Sequence, residues 1–222
     1  MKKFLFLIPV FAFCFCFFGC QQNISNYLKS HVSENCSSYY VAQTNDFSVT
    51  LFSGERESNY KLDGVSTQKV DYSILSVKKK SDITFEELDY VVEVDGQTFE
   101  GVLTQNPYDS SFEADVKTKI APQKEVFVYL KFNGTTQVVN LESIFQNFQI
   151  SSDTALDIAV DELLASKENI DDTLDYECFI QILNKDIDSG MYFWLVNIVS
   201  SNGDMFNIII DISTGEVLAK KL

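Results

Sequence analysis

Two dipeptides constrain this chain more than anything else in it. Asp95-Gly96 and Asn133-Gly134 each stand between runs in which apolar and polar residues alternate. Both central positions of a two-residue hairpin turn need positive φ, which an Asx-Gly pair adopts at low cost, so each pair predicts a tight antiparallel hairpin. Tyr90-Val91-Val92-Glu93-Val94 and Gln97-Thr98-Phe99 flank the first. Val126, Val128, Leu130 and Phe132 lead into the second, and Thr136-Gln137-Val138-Val139 leaves it. Further alternating runs occur at Phe47/Val49/Leu51, at Val70/Tyr72/Ile74 and from Phe112 to Val116, with Ser53-Gly54 read as a turn. Short strands at this spacing predict an all-β, sandwich-like domain over residues 39–141. The helical hint inside it is one turn at residues 82–88.

The pattern changes after a linker at residues 142–150. Ser151-Ser152-Asp153 offers helix-capping oxygens, and Leu156, Ala159, Val160, Leu163 and Leu164 recur at helical spacing up to Ser166. Three strands follow an acidic stretch, at residues 176–183, 192–200 and 205–212. One helix packed on a three-stranded antiparallel sheet is the expected arrangement for residues 151–222, which makes the chain α+β overall. Over residues 151–221 the chain resembles the PepSY domain. The likeness rests on Ala155-Leu156 and Ile158-Ala159 in the helix, the strand Trp194-Leu195-Val196-Asn197-Ile198, and Asp211 followed by Thr214-Gly215-Glu216-Val217-Leu218. That resemblance implies a non-catalytic module that inhibits or modulates peptidases, or binds local ligands.

The start of the chain sets location. Met1-Lys2-Lys3 precedes an uncharged apolar run over residues 4–18, short for a bilayer-spanning helix and suited to the hydrophobic region of a signal peptide. Phe17-Phe18-Gly19-Cys20 resembles the lipobox of bacterial lipoproteins, with Phe17 where Leu is usual. The resemblance implies a signal peptide at residues 1–19, a lipidated Cys20, and palmitate-type chains holding the protein on the outer side of the cytoplasmic membrane. Residues 20–38 are mostly polar and read as a tether carrying His31, the one histidine. Loss of Lys2 and Lys3 with the leader takes the formal charge from −15 to −17. So acidic a body would be repelled by phosphate backbones, which excludes nucleic acid as a partner.

Little in the sequence suggests catalysis. His31 stands far from any nucleophile it could activate, and neither a Gly-x-Ser-x-Gly nor a His-Glu-x-x-His pattern occurs. Asn184 to Gly190 falls short of a calcium loop, because Gly190 and Asn197 replace required acids. No catalytic residue, cofactor or metal is expected. Cys36 and Cys178 are free to pair by count, although Cys178 alternates with Tyr176, Ile180 and Ile182 as a buried core thiol would.

The most informative surface is the sheet face turned away from the helix. It carries Phe179, Leu183, Phe193, Leu195, Val199 and Ile209. Leaving these in water would forfeit about 10 kcal/mol of burial. The β domain, a second copy or an outside protein would have to cover them, and Phe179, Phe193, Leu195 and Ile209 form the candidate binding face. The expected function is non-enzymatic protein binding at the cell envelope, with a structural or assembly lipoprotein and a solute-binding lipoprotein as alternatives. Cys20→Ala is expected to leave an unprocessed precursor or release the body into the medium. Cell fractionation with mass spectrometry checks this, and a variant processed and retained like the wild type would overturn the anchor.

Overall fold

A computed structural model describes residues 24–59, 61–166, 174–184 and 190–221. The leader and Cys20 lie outside them. Strands dominate, in chain order β1 (Val32–Gln43), β2 (Phe47–Glu57), β3 (Lys69–Lys79), β4 (Asp89–Val94), β5 (Gln97–Val102), β6 (Thr104–Gln105), β7 (Phe112–Val116), β8 (Val126–Phe132) and β9 (Thr135–Ser143). A 3-10 turn at Ile144–Asn147 leads to a helix at Ser152–Ser166, followed by β10 (Tyr176–Asn184), β11 (Tyr192–Ser200), β12 (Met205–Asp211) and β13 (Val217–Lys221). Residues 24–30 form a short first helix, α1, so the helix at Ser152–Ser166 is α2.

The expected α+β class, with a separate sandwich and a helix on three strands, is corrected by this topology. Among the described residues all 13 strands belong to one mainly antiparallel sheet that runs β13-β12-β11-β10-β1-β2-β3-β7-β6, with β9, β8, β4 and β5 branching from β1. The branch curls back over β1, β2 and β3 into a nearly closed, barrel-like wall. Tyr40, Phe47, Leu51 and Leu75 from one side meet Val92, Val128, Leu130 and Val139 from the other in a single core. A sandwich needs two sheets that do not share a strand. Here β9 pairs with β1 at Tyr40↔Ser143 and Val41↔Glu142, so the wall bends instead of splitting.

The C-terminal strands are likewise no detached module. β13 adds a fourth antiparallel strand beyond β12, and β10 pairs in parallel with β1 at Val32↔Cys178 and Asn35↔Ile180. α2 buries Ala155, Leu156, Ala159, Val160 and Leu163 on the face that carries Cys178, Ile180, Trp194, Val196 and Ile208. α1 packs beside it through fully buried Leu28, and Lys29 pairs with Asp157 at 2.8 Å.

The tether expected at residues 20–38 is therefore corrected for residues 24–38, which are α1 and the first half of β1. The region looks solvated because Ser33, Glu34 and Ser38 are polar, yet all three are buried and each has a partner. Ser33 Oγ donates to Glu177 at 2.5 Å and Ser38 Oγ to Ile120 O at 2.6 Å. Paired polar groups can be buried at little net cost. His31 is likewise held: its ring stacks on Tyr27 at 3.9 Å, and its Nδ1 lies 2.8 Å from Tyr27 O. The 142–150 linker begins inside β9, and residues 82–88 contain no helical turn.

Ser53-Gly54 is not a turn but the middle of β2. β1 carries a bulge between Cys36 and Ser38, where its pairing jumps from Gly54 to Ser53. The bulge presses the two backbones together, so a Cβ on Gly54 would stand 2.0 Å from Asn35 O. Ser38, Ser53 and Ser73 then line up across β1, β2 and β3. Ile120 N donates to Ser53 Oγ at 2.7 Å and Ser73 Oγ donates to Thr118 O at 2.7 Å, which fixes the segment before β8 against the wall. Both Asx-Gly hairpins form as expected, with φ of 51° and 74° at Asp95-Gly96 and 49° and 72° at Asn133-Gly134.

Gly54→Ala is expected to destabilise the fold by about 3 kcal/mol or more, because the contact lies against backbone that cannot move aside without breaking the β1–β2 ladder. Urea unfolding, followed through Trp194 fluorescence, measures it. An unchanged midpoint would show that the bulge is not as tight as described.

Candidate functional site

The candidate face lies where β10, β11 and β12 run side by side. Register places Leu183 opposite Phe193, Gln181 opposite Leu195, and Leu195 opposite Ile209. Side chains of facing residues share a sheet face, so these form one strip on the side away from α2. Phe179 is 1% exposed, buried where β10 meets β1, whereas Phe193, Leu195 and Ile209 are half-buried. The structure thus brings the four residues onto one surface but closes Phe179 off from solvent.

Part of the cover comes from the chain itself. The β2–β3 connection folds over one end of the strip, where Glu177 is fully buried. The Glu177 carboxylate accepts N–H bonds from Asp63 at 3.0 Å and Gly64 at 2.8 Å, along with the Ser33 hydroxyl. Val199, which faces Glu177 across β10 and β11, is buried at the same end.

At its other side the strip runs into a cavity of about 350 Å³. It opens where β1, after its bulge, leaves β10 and turns toward β9. Glu34, Tyr39, Phe52, Tyr72, Gln181 and Leu183 are among its walls, along with Cys36 and, from β7, Glu113. Glu34 is 7% exposed and Tyr72 1%. Tyr72 Oη donates to Glu34 Oε1 at 2.7 Å, and Gln181 Nε2 donates to Glu34 Oε2 at 2.8 Å. Burial, reinforced by the neighbouring Glu34 charge, pushes the Tyr72 phenol far up, so it remains a donor to that carboxylate. Arg56 lies 4.6 Å from the Tyr72 ring centroid, with its guanidinium bonded to Asp115.

A larger hollow of about 720 Å³ sits against the β8–β9 hairpin, between Glu86, Glu87 and Asp89 on one side and Lys131 and Asn133 on the other. Its lining is drawn from strand ends and from the turns beside them, whereas the β1–β10 cavity is built from strand positions throughout. The smaller one is the better-formed site.

The thiols are part of this architecture. Cys36 and Cys178 are both free and buried. Desolvation pushes each up to about 12, with the Glu34 and Glu177 carboxylates adding to the rise. A thiol so shifted is protonated at neutral pH and a poor nucleophile. Among the described residues no group of His, Cys, Asp and Glu gathers as a metal site. Residues 185–189 of the calcium-like loop lie outside them.

Glu34, Tyr72, Gln181 and Glu113 carry no signal in the sequence. Glu34 sits in a stretch that reads as tether, and the others belong to strands whose neighbours are set only by the fold. Comparison of the chain with protein-family models, with curated proteins and with solved structures finds no match.

The buried thiols have a consequence for stability. Unfolded cysteine ionises near 9.0, whereas burial pushes the folded Cys36 and Cys178 up to about 12. Between these values the unfolded chain releases protons that the folded chain keeps. Their contribution is therefore fully present below pH 9 and lost as pH rises toward 12. Tyr39 and Tyr40, also pushed up to about 12, act in the same direction. The urea midpoint is expected to fall across that window, and less steeply in a Cys36→Ala/Cys178→Ala variant. A flat profile would contradict the burial of these groups.

Proposed function

We propose that this chain is a non-enzymatic binding protein of the cell envelope, anchored outside the cytoplasmic membrane through lipid on Cys20. The observation that carries the reading is the half-buried strip of Phe193, Leu195 and Ile209. It lies on the face of the C-terminal strands away from α2, and among the described residues the β2–β3 connection covers one end of it. Apolar side chains held in register on a rigid sheet suit a protein partner, since ordering them on binding costs little entropy. The PepSY resemblance of residues 151–221 names the class of partner, an envelope peptidase whose activity the contact modulates.

Leu195 is the residue to change, because it stands at the centre of the strip and is not fully buried. Leu195→Asp is expected to abolish modulation of a co-purifying envelope peptidase, a loss of about tenfold or more in affinity, while lowering the unfolding free energy by no more than about 2 kcal/mol, so that the chain stays folded. Activity of that peptidase, measured with wild-type and variant chains, decides it. Equal effects of both chains would remove the strip from the interaction, and turnover of a substrate by the chain alone would remove the non-enzymatic reading.

A second reading, a solute-binding lipoprotein, is favoured by the β1–β10 cavity. Its volume falls in the range of small-molecule sites, and its walls combine aromatic rings with fixed polar groups.

A further inference from the structure

We infer that the β1–β10 cavity binds a small organic cation, with an alkylammonium group seated on Glu34. The inference rests on the solute-binding reading and adds the chemical class of the ligand.

Charge is the first ground. Glu34 and Glu113 both line the cavity, and among the described residues no lysine, arginine or histidine does. Glu34 is more than nine-tenths buried, and its hydrogen bonds come from neutral groups, Tyr72 and Gln181. The cation nearest by register is Arg56, directly opposite Glu34 on β2. Its guanidinium is already committed to Asp115 and to the face of Tyr72. A buried carboxylate without a paired cation is costly, and a bound ammonium would remove that cost.

Capacity to accept is the second ground. A carboxylate has about four acceptor positions, and the bonds from Tyr72 and Gln181 leave others for an incoming N–H. Glu113 accepts from Ser111 Oγ at 3.0 Å and Asn106 Nδ2 at 3.3 Å, so a second carboxylate is fixed in the cavity wall.

The third ground is the chemistry of the remaining walls, which separates an organic cation from a metal ion. Tyr39, Phe52 and Tyr72 line the same cavity as the carboxylate, and the Phe52 and Tyr72 rings meet edge to face at 6.3 Å. Aromatic faces attract alkylammonium groups and give a bare metal ion no ligand, whereas hard cations ask for six or more oxygens. A volume of about 350 Å³ accommodates a molecule well beyond a single ion.

The test is calorimetric titration of the full chain in detergent with choline, with hexylammonium, and with 3,3-dimethylbutan-1-ol, the uncharged isostere of choline. At least one of the two cations is expected to bind, the alcohol to bind about tenfold more weakly or worse, and Glu34→Gln to lose about tenfold of the cation affinity. Should Glu34→Gln fail to fold, Glu113→Gln and the space-filling Thr50→Phe, at another wall position of the same cavity, carry the same expectation. An alcohol that binds as well as the cations, or a Glu34→Gln chain that binds them unchanged, overturns the cationic class and leaves a solute site standing. No heat with either cation at millimolar concentration overturns the inference. If neutral and anionic solutes then also fail to raise the melting temperature, the solute-binding reading fails with it.

Discussion

Everything in this structure depends on how β1 divides one edge between two partners. Its first residues pair in parallel with β10, and its last pair antiparallel with β9, while the other edge runs the whole length of β2. One strand cannot serve two partners on the same edge unless it bends between them. The bulge between Cys36 and Ser38 supplies the bend, and Gly54 on β2 supplies the room. The bulge thereby joins a barrel-like wall to a helix-covered sheet and leaves a wedge where the two diverge. The cavity is that wedge.

Polar residues hold the joint together, which is unusual for a strand so deeply buried. Ser33 reaches Glu177, Glu34 reaches Tyr72 and Gln181, and Ser38 reaches the backbone at Ile120. Each bond crosses between parts of the chain far apart in sequence. A hydrogen bond of this kind adds little net stability, but its loss would strand a buried partner, so the set specifies one arrangement more than it strengthens it. Glu34 stands apart because its carboxylate lines a cavity, whereas Glu177 is closed over by the β2–β3 connection, and that is where the joint becomes a site rather than a seam.

The hairpins, the strand alternation of β4, β5, β8 and β9, and the run of α2 are all legible in the sequence, because each depends on residues a few positions apart. The strip of Phe193, Leu195 and Ile209 is legible for the same reason, since period-2 alternation assigns faces. β1 is not. Its serines and Glu34 read as a solvated tether, because Ser33, Glu34 and Ser38 are satisfied by groups on other strands and loops far along the chain, at Glu177, at Tyr72 and Gln181, and at Ile120. Ser53-Gly54 misleads in the opposite sense, offering turn chemistry at a place where glycine is needed for a close approach between strands.

By itself the sequence determined the local vocabulary of this protein: where hairpins turn, which residues alternate, where a helix begins, and how acidic the body is. Short-range backbone preferences and side-chain period fix those features, whatever surrounds them. Only the tertiary structure decided that the strands form one sheet instead of two units, that residues 24–38 form α1 and the start of β1 with Leu28 and Ser33 fully buried, and that a buried carboxylate lines a cavity. Such facts follow from pairing between distant segments, and a strand edge carries no mark of which partner will occupy it.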